Sequence, residues 1–110
     1  MINNHPAKTG QEIHAAFLEI AERRLANHAP VARALREGSP STIAEIIALA
    51  YVQVELWEKG SLCSMDYIST WKELLQDPVK AAELLEERSS RANALRQNSP
   101  FVATVRKFLG

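Results

Sequence analysis

The chain of 110 residues and 12.3 kDa is 46% hydrophobic and 24% charged, ordinary values for one globular domain able to bury roughly 65% of its unfolded surface. Thirteen basic residues balance thirteen acidic ones, which removes the net-charge argument for nucleic-acid or membrane affinity, and a single cysteine excludes an intramolecular disulfide. No apolar run approaches the roughly 18 residues of a membrane span and no secretory h-region opens the chain, so the expectation is a cytoplasmic protein without membrane contact.

Residues 1–8 carry no periodicity and include Pro6, and are read as a mobile arm ahead of a single helical domain over 9–110. Thr9 to Glu12 has capping-box spacing, in which the threonine oxygen accepts an amide proton and the glutamate reaches back. Ile13, Ala16, Phe17, Ile20 and Ala21 then form one helical stripe, with Leu18 and Leu25 along a second edge. Asn27, His28 and Pro30 predict an interruption, because proline withholds a helix donor and restrains its predecessor. A short helix from Pro30 to about Glu37 follows, with Val31, Ala34 and Leu35 inward and Gly38 as a left-handed terminator.

Ser39-Pro40 restarts the chain, since proline at the first helical position gives up an amide that would be unpaired anyway. The most apolar segment of the chain follows, a central helix over about 41–59. At about 100° per residue, Ile43, Ile46, Ile47, Ala50, Val54 and Trp57 share one arc, and Leu49, Val52 and Leu56 lie nearly opposite. A helix apolar on two faces is buried on two faces, so the second face calls for a cover, either the last helix through Phe101 and Phe108 or another chain. A further helix over about 65–76 places Ile68, Trp71, Leu74 and Leu75 inward. Asp77-Pro78 opens a long one to Gln97 presenting Ala81, Leu84, Leu85, Arg88, Ala92 and Leu95, and Ser99-Pro100 a short last one. The predicted class is all-α, a bundle of about six helices, four substantial and two short. Ile46, Ile47, Ala50, Val54 and Trp57 are expected to pack against Phe17, Ile20, Trp71 and Leu85.

Catalytic and metal chemistry find no constellation. His5, His14 and His28 are dispersed over the arm and first helix, and Glu-x-x-His pairs are missing, so neither a metal nor a cofactor is expected. Cys63 precedes a helix N-terminus, where a thiolate is favoured, but no histidine is near in sequence. Ser69-x-x-Lys72 matches the S-x-x-K pattern of penicillin-recognising enzymes without its companion elements. Phosphate-loop, dinucleotide and zinc-protease motifs are missing too, so the chain is read as non-enzymatic.

Two binding readings remain. No acidic residue follows Glu87, whereas Arg88, Arg91, Arg96, Arg106 and Lys107 do, a pattern open to phosphate contact or to helix-dipole complementation. A helix-turn-helix with the central helix as reader is disfavoured, because that helix carries no basic residue before Lys59. The leading expectation is contact with a protein partner, a second copy of the chain included. Its candidate anchors are Leu49, Val52, Leu56, Tyr67 and Phe101, which lie off the main stripes.

Overall fold

Side-chain caps placed by the sequence divide the chain into helices. The computed structural model describes residues 10–110, in the order α1 (Gly10–Glu37), α2 (Pro40–Lys59), α3 (Met65–Leu75), α4 (Pro78–Glu86), α5 (Ser90–Gln97) and α6 (Val102–Leu109). The expected arm over 1–8 and the Thr9 cap lie outside the described residues. The fold is all-α, and among the described residues no helix is long and apolar enough to cross a membrane.

The starts of α2 to α5 follow the cap logic, whereas α6, which Ser99-Pro100 is expected to open, begins at Val102 after Phe101 with no side-chain cap. Ser39 Oγ accepts from the Thr42 amide at 3.2 Å with Pro40 at the first helical turn, and Asp77 Oδ1 accepts from Val79 and Lys80 ahead of Pro78. Ser64 and Ser89 do the same for α3 and α5. Each such cap contributes about 1 kcal/mol. The central helix ends on Gly60, but the left-handed residue is Ser61 (φ 53°), which lets the Leu62 amide reach the Trp57 carbonyl at 2.9 Å. Gly38 is likewise not left-handed. Its need is space, because a Cβ there would stand 2.4 Å from the Ala34 carbonyl oxygen.

Two boundaries differ from expectation, and they offset each other in the helix count. Pro30 does not interrupt α1, which runs through it for 28 residues. Pro30 and Ala26, whose carbonyl loses its donor, are both exposed, so water can serve that carbonyl, while His28, Val31, Ala32 and Leu35 anchor the helix from its buried side. The long helix expected over Pro78 to Gln97 is instead two, broken at Glu87–Ser89. Arg96 stabilises the break from α5. Its Nη1 donates to the Leu84 and Leu85 carbonyls at 3.0 and 3.2 Å, the last turn of α4, and Nη2 donates to Asn93 Oδ1 at 2.7 Å. A cation on terminal carbonyls complements the helix dipole, and Arg96 is only 2% exposed there.

The core gathers Val31, Leu35, Ile46, Val54, Trp57, Ile68, Trp71, Leu75, Leu85 and Phe101. Trp71 and Phe101 meet edge to face, ring centroids 5.9 Å apart, a geometry that adds about 0.5–1.5 kcal/mol to their burial. Ile46, Ala50, Val54 and Trp57 are buried as the periodicity predicts, with Ile47 half-buried, but their expected neighbours Phe17 and Ile20 are exposed. The reason is length. At 1.5 Å per residue, α1 spans about 42 Å, whereas α4, α5 and α6, of nine, eight and eight residues, that pack on it span about 12–14 Å each. Every fully buried residue of α1 lies between His28 and Leu35.

Candidate functional site

Among the described residues, two apolar helix surfaces remain exposed once the helices are packed. On α1, the 100° spacing puts Phe17 and Ala21 in the same roughly 60° arc as His28, Ala32 and Leu35. The stripe that enters the core therefore continues N-terminally past its cover, where Phe17 is 61% exposed and Ile13, Leu18 and Ile20 are exposed beside it. Along its lower part the stripe borders α5 across a groove with adjoining hollows of about 360 and 250 Å³. One wall is Leu18, Ala21 and Leu25, and the other carries the amides of Asn93 and Gln97. Arg88 crosses the groove to pair with Glu22 at 2.5 Å.

The second surface is the outer face of α2. Leu49, Val52 (56% exposed) and Leu56 stand in a row on it, and α6 lies along one flank, with Phe108 and Lys107 beside Leu49 and Glu45 around a hollow of about 30 Å³. The last helix therefore borders this face and leaves it open. Phe101 takes no part: at 0% exposure it is a core residue stacked on Trp71, which corrects its assignment as an interface anchor. Its amide donates to Ser99 Oγ at 3.0 Å in the turn before α6, a tertiary setting that stripe arithmetic on an isolated helix does not reveal. Tyr67 is half-buried, and its hydroxyl donates to the Ala94 carbonyl at 2.6 Å, with that of Leu95 at 3.0 Å. Burial raises its pKa above the usual 10, and its polar end is spent on tying α3 to α5.

The basic C-terminal residues do not form one patch. Arg96 is buried as the α4 cap, Arg88 pairs with Glu22, and Lys107 Nζ lies 3.0 Å from Glu45. Arg91 and Arg106 are exposed. The candidate nucleophiles are similarly engaged or isolated. Cys63 Sγ accepts from Asn98 Nδ2 at 3.0 Å, and Lys72 of the S-x-x-K match pairs with Glu58 at 2.8 Å. Among the described residues no three His, Cys, Asp or Glu side chains converge as metal ligands.

Sequence reasoning missed His28, which is buried between α1 and the turn before α6. Its Nδ1–H donates to the Arg24 carbonyl at 2.7 Å, which makes Nε2 the acceptor for the Ser99 hydroxyl at 2.8 Å, and Ser99 Oγ in turn accepts from the Phe101 amide at 3.0 Å. Burial holds the His28 pKa below 6.5, against the raising effect of the Arg24 carbonyl and with help from the charges of Arg96 and Arg24. Burial is what opposes protonation, and in the neutral ring this chain of bonds runs from the Ser99 hydroxyl through His28 to the Arg24 carbonyl. Despite its histidine and serine it is closed to substrate, since both residues are fully buried.

What fold and surfaces define is an all-α bundle with two open apolar helix faces and, among the described residues, no metal-ligand cluster; the polar side chains that do line one hollow, of about 410 Å³, are Thr70, Glu73, Gln76, Asp77, Lys80 and Arg91 between α3, α4 and α5. Compared with known protein families, curated proteins and solved structures, the chain matches none.

Proposed function

We propose that this chain is a small, non-enzymatic helical protein of the cytoplasm that works through protein–protein contact, as an adaptor, regulator or inhibitor, with a second copy of itself among its partners. One observation carries the reading: the core-forming stripe of α1 runs on through Ile20, Phe17 and Ile13, with Leu18 beside it, and these side chains stay exposed although α5 borders the groove next to Phe17 and Leu18 among the described residues. Large contiguous apolar surface is costly on a protein surface unless a partner covers it. An amphipathic helix offering anchors at i, i+3, i+4 and i+7 fits a groove or helix of another protein. The nucleic-acid alternative through Arg88, Arg91, Arg96, Arg106 and Lys107 loses support, because Arg96 is a structural cap and two of the others sit in ion pairs.

The test is a tagged chain in its native cells, wild type against Phe17→Glu with Ile20→Glu. Both positions are exposed, so the variant should fold with unchanged helical circular dichroism while losing a stoichiometric partner that the wild type retains. Retention of the same partner by the folded double variant would sink the assignment of α1. Binding to generic duplex DNA that weakens steeply with salt would favour the alternative.

A further inference from the structure

The open face of α2 is self-complementary, and we propose that its occupant is a second copy of this chain, docked antiparallel about a twofold axis beside Val52. This deepens the contact reading above and rests on it. Glu45, Leu49, Val52, Leu56 and Lys59 follow one another at spacings of four, three, four and three residues, the seam of a helix that packs on another helix. At 100° per residue they share an arc of about 80°, opposite the buried Ile46, Ala50, Val54 and Trp57.

The order of side chains along that seam selects the occupant. Glu45 and Lys59 stand seven residues to either side of Val52, about 10 Å each way at the helical rise. In an antiparallel pair centred on Val52, Glu45 of each copy comes level with the partner's Lys59, at both ends of the contact. Leu49 comes level with the partner's Leu56 to within one residue, and Val52 meets the partner's Val52. A parallel pair would instead set Glu45 on Glu45 and Lys59 on Lys59, a like-charge arrangement at both ends, with the two helix dipoles aligned. One patch serves both subunits, as a twofold interface requires. Ala48 beside the seam is exposed and small, which leaves room for close approach, and Phe108 extends the apolar surface at the Leu49 end.

Three apolar residues and a flanking phenylalanine make a contact at the low end of interface sizes, for which the expected dissociation constant is roughly micromolar to tens of micromolar. The experiment is sedimentation and light scattering of the full chain from about 5 to 500 µM, a range set around that constant, on the wild type and four variants. The wild type should pass from monomer to dimer across the range. Val52→Glu, at an exposed position, should remain folded and monomeric. Lys59→Glu places a carboxylate opposite the partner's Glu45 and should weaken the dimer roughly tenfold, and adding Glu45→Lys should restore it to within about threefold of wild type, since the opposed charges are exchanged and kept. Because Lys107 already lies against Glu45, the exchange is repeated with Lys107→Gln, so that repulsion within one chain does not hide the rescue. A wild type that stays monomeric throughout overturns the proposal, and so does a dimer that Val52→Glu leaves intact or that the charge exchange fails to rescue. None of these results touches the α1 stripe, whose partner is scored separately by Phe17→Glu with Ile20→Glu.

Discussion

Acidification should loosen this bundle through His28 well before carboxylates titrate. The ring is neutral in the fold, donating from Nδ1 to the Arg24 carbonyl and accepting at Nε2 from Ser99. With its folded pKa below the unfolded 6.5, the unfolded chain binds the extra proton first as pH falls. The contribution is therefore fully present above 6.5 and is lost on the way down to the folded pKa, with a limiting slope of about 1.4 kcal/mol per pH unit for one proton. His28→Leu removes both the titration and the acceptor for Ser99, at a cost of about 1–3 kcal/mol for the buried hydroxyl left unpaired. At pH 7.5 the full deficit should appear. By pH 5.5 the wild type will have lost up to about 1.4 kcal/mol that the variant never had, so the gap between them should narrow by that amount. Urea unfolding followed by the fluorescence of Trp57 and Trp71, at pH 7.5, 6.5 and 5.5, reads this directly. Parallel stability curves for the two proteins over that interval would refute the protonation argument.

Trp71→Ala should cost about 3–5 kcal/mol as a fully buried large-to-small change that also removes the Phe101 stack, and a loss under 1 kcal/mol in urea unfolding would contradict the core described. Arg96→Gln should cost about 1.5–3 kcal/mol by stripping a charged donor from the end of α4, whereas Arg91→Gln, at an exposed position, should stay within about 0.5 kcal/mol; equal effects would deny Arg96 its capping role. Pro30→Ala should raise the unfolding free energy by roughly 1–3 kcal/mol in urea titration, because it restores an interior donor that proline withholds, and a destabilised variant would mean that the packing of α1 depends on the proline.

The class of fold was legible because caps and prolines are local. Ser39-Pro40 and Asp77-Pro78 accept the amides that their positions in the sequence predict, Ser64, which the pattern does not single out, caps α3, and the inner residues of α2 and α3 follow their 3.6-residue period into the core. What escaped is what another part of the chain decides. Pro30 reads as a break until the neighbours that hold His28, Val31 and Leu35 are known, and tertiary anchoring outweighs the lost bond. The α4–α5 break has no glycine or proline to announce it, only Ser89 and Ser90, and its stabiliser is an arginine that in sequence looks like surface charge. Of the candidate surfaces, Leu49, Val52 and Leu56 can be placed on one face from periodicity alone. The exposure of Phe17 and Ile20 cannot, because it depends on how short the covering helices are.

The first helix is also the spine on which the last three are laid, since α4, α5 and α6 all pack against it. During synthesis α1 leaves the ribosome before any of them exists. Its buried stripe, His28 to Leu35, must wait for residues 78 to 105 to be made, roughly 70 residues of translation and so on the order of 4–14 s at typical rates. The closing bonds of Arg96 to α4 and of His28 to Ser99 come at the end of that interval. A chain lacking residues 78–110 would keep the contact of α1 with α2 and leave the rest of the α1 stripe without its cover, the form in which this sequence is most open to chaperones.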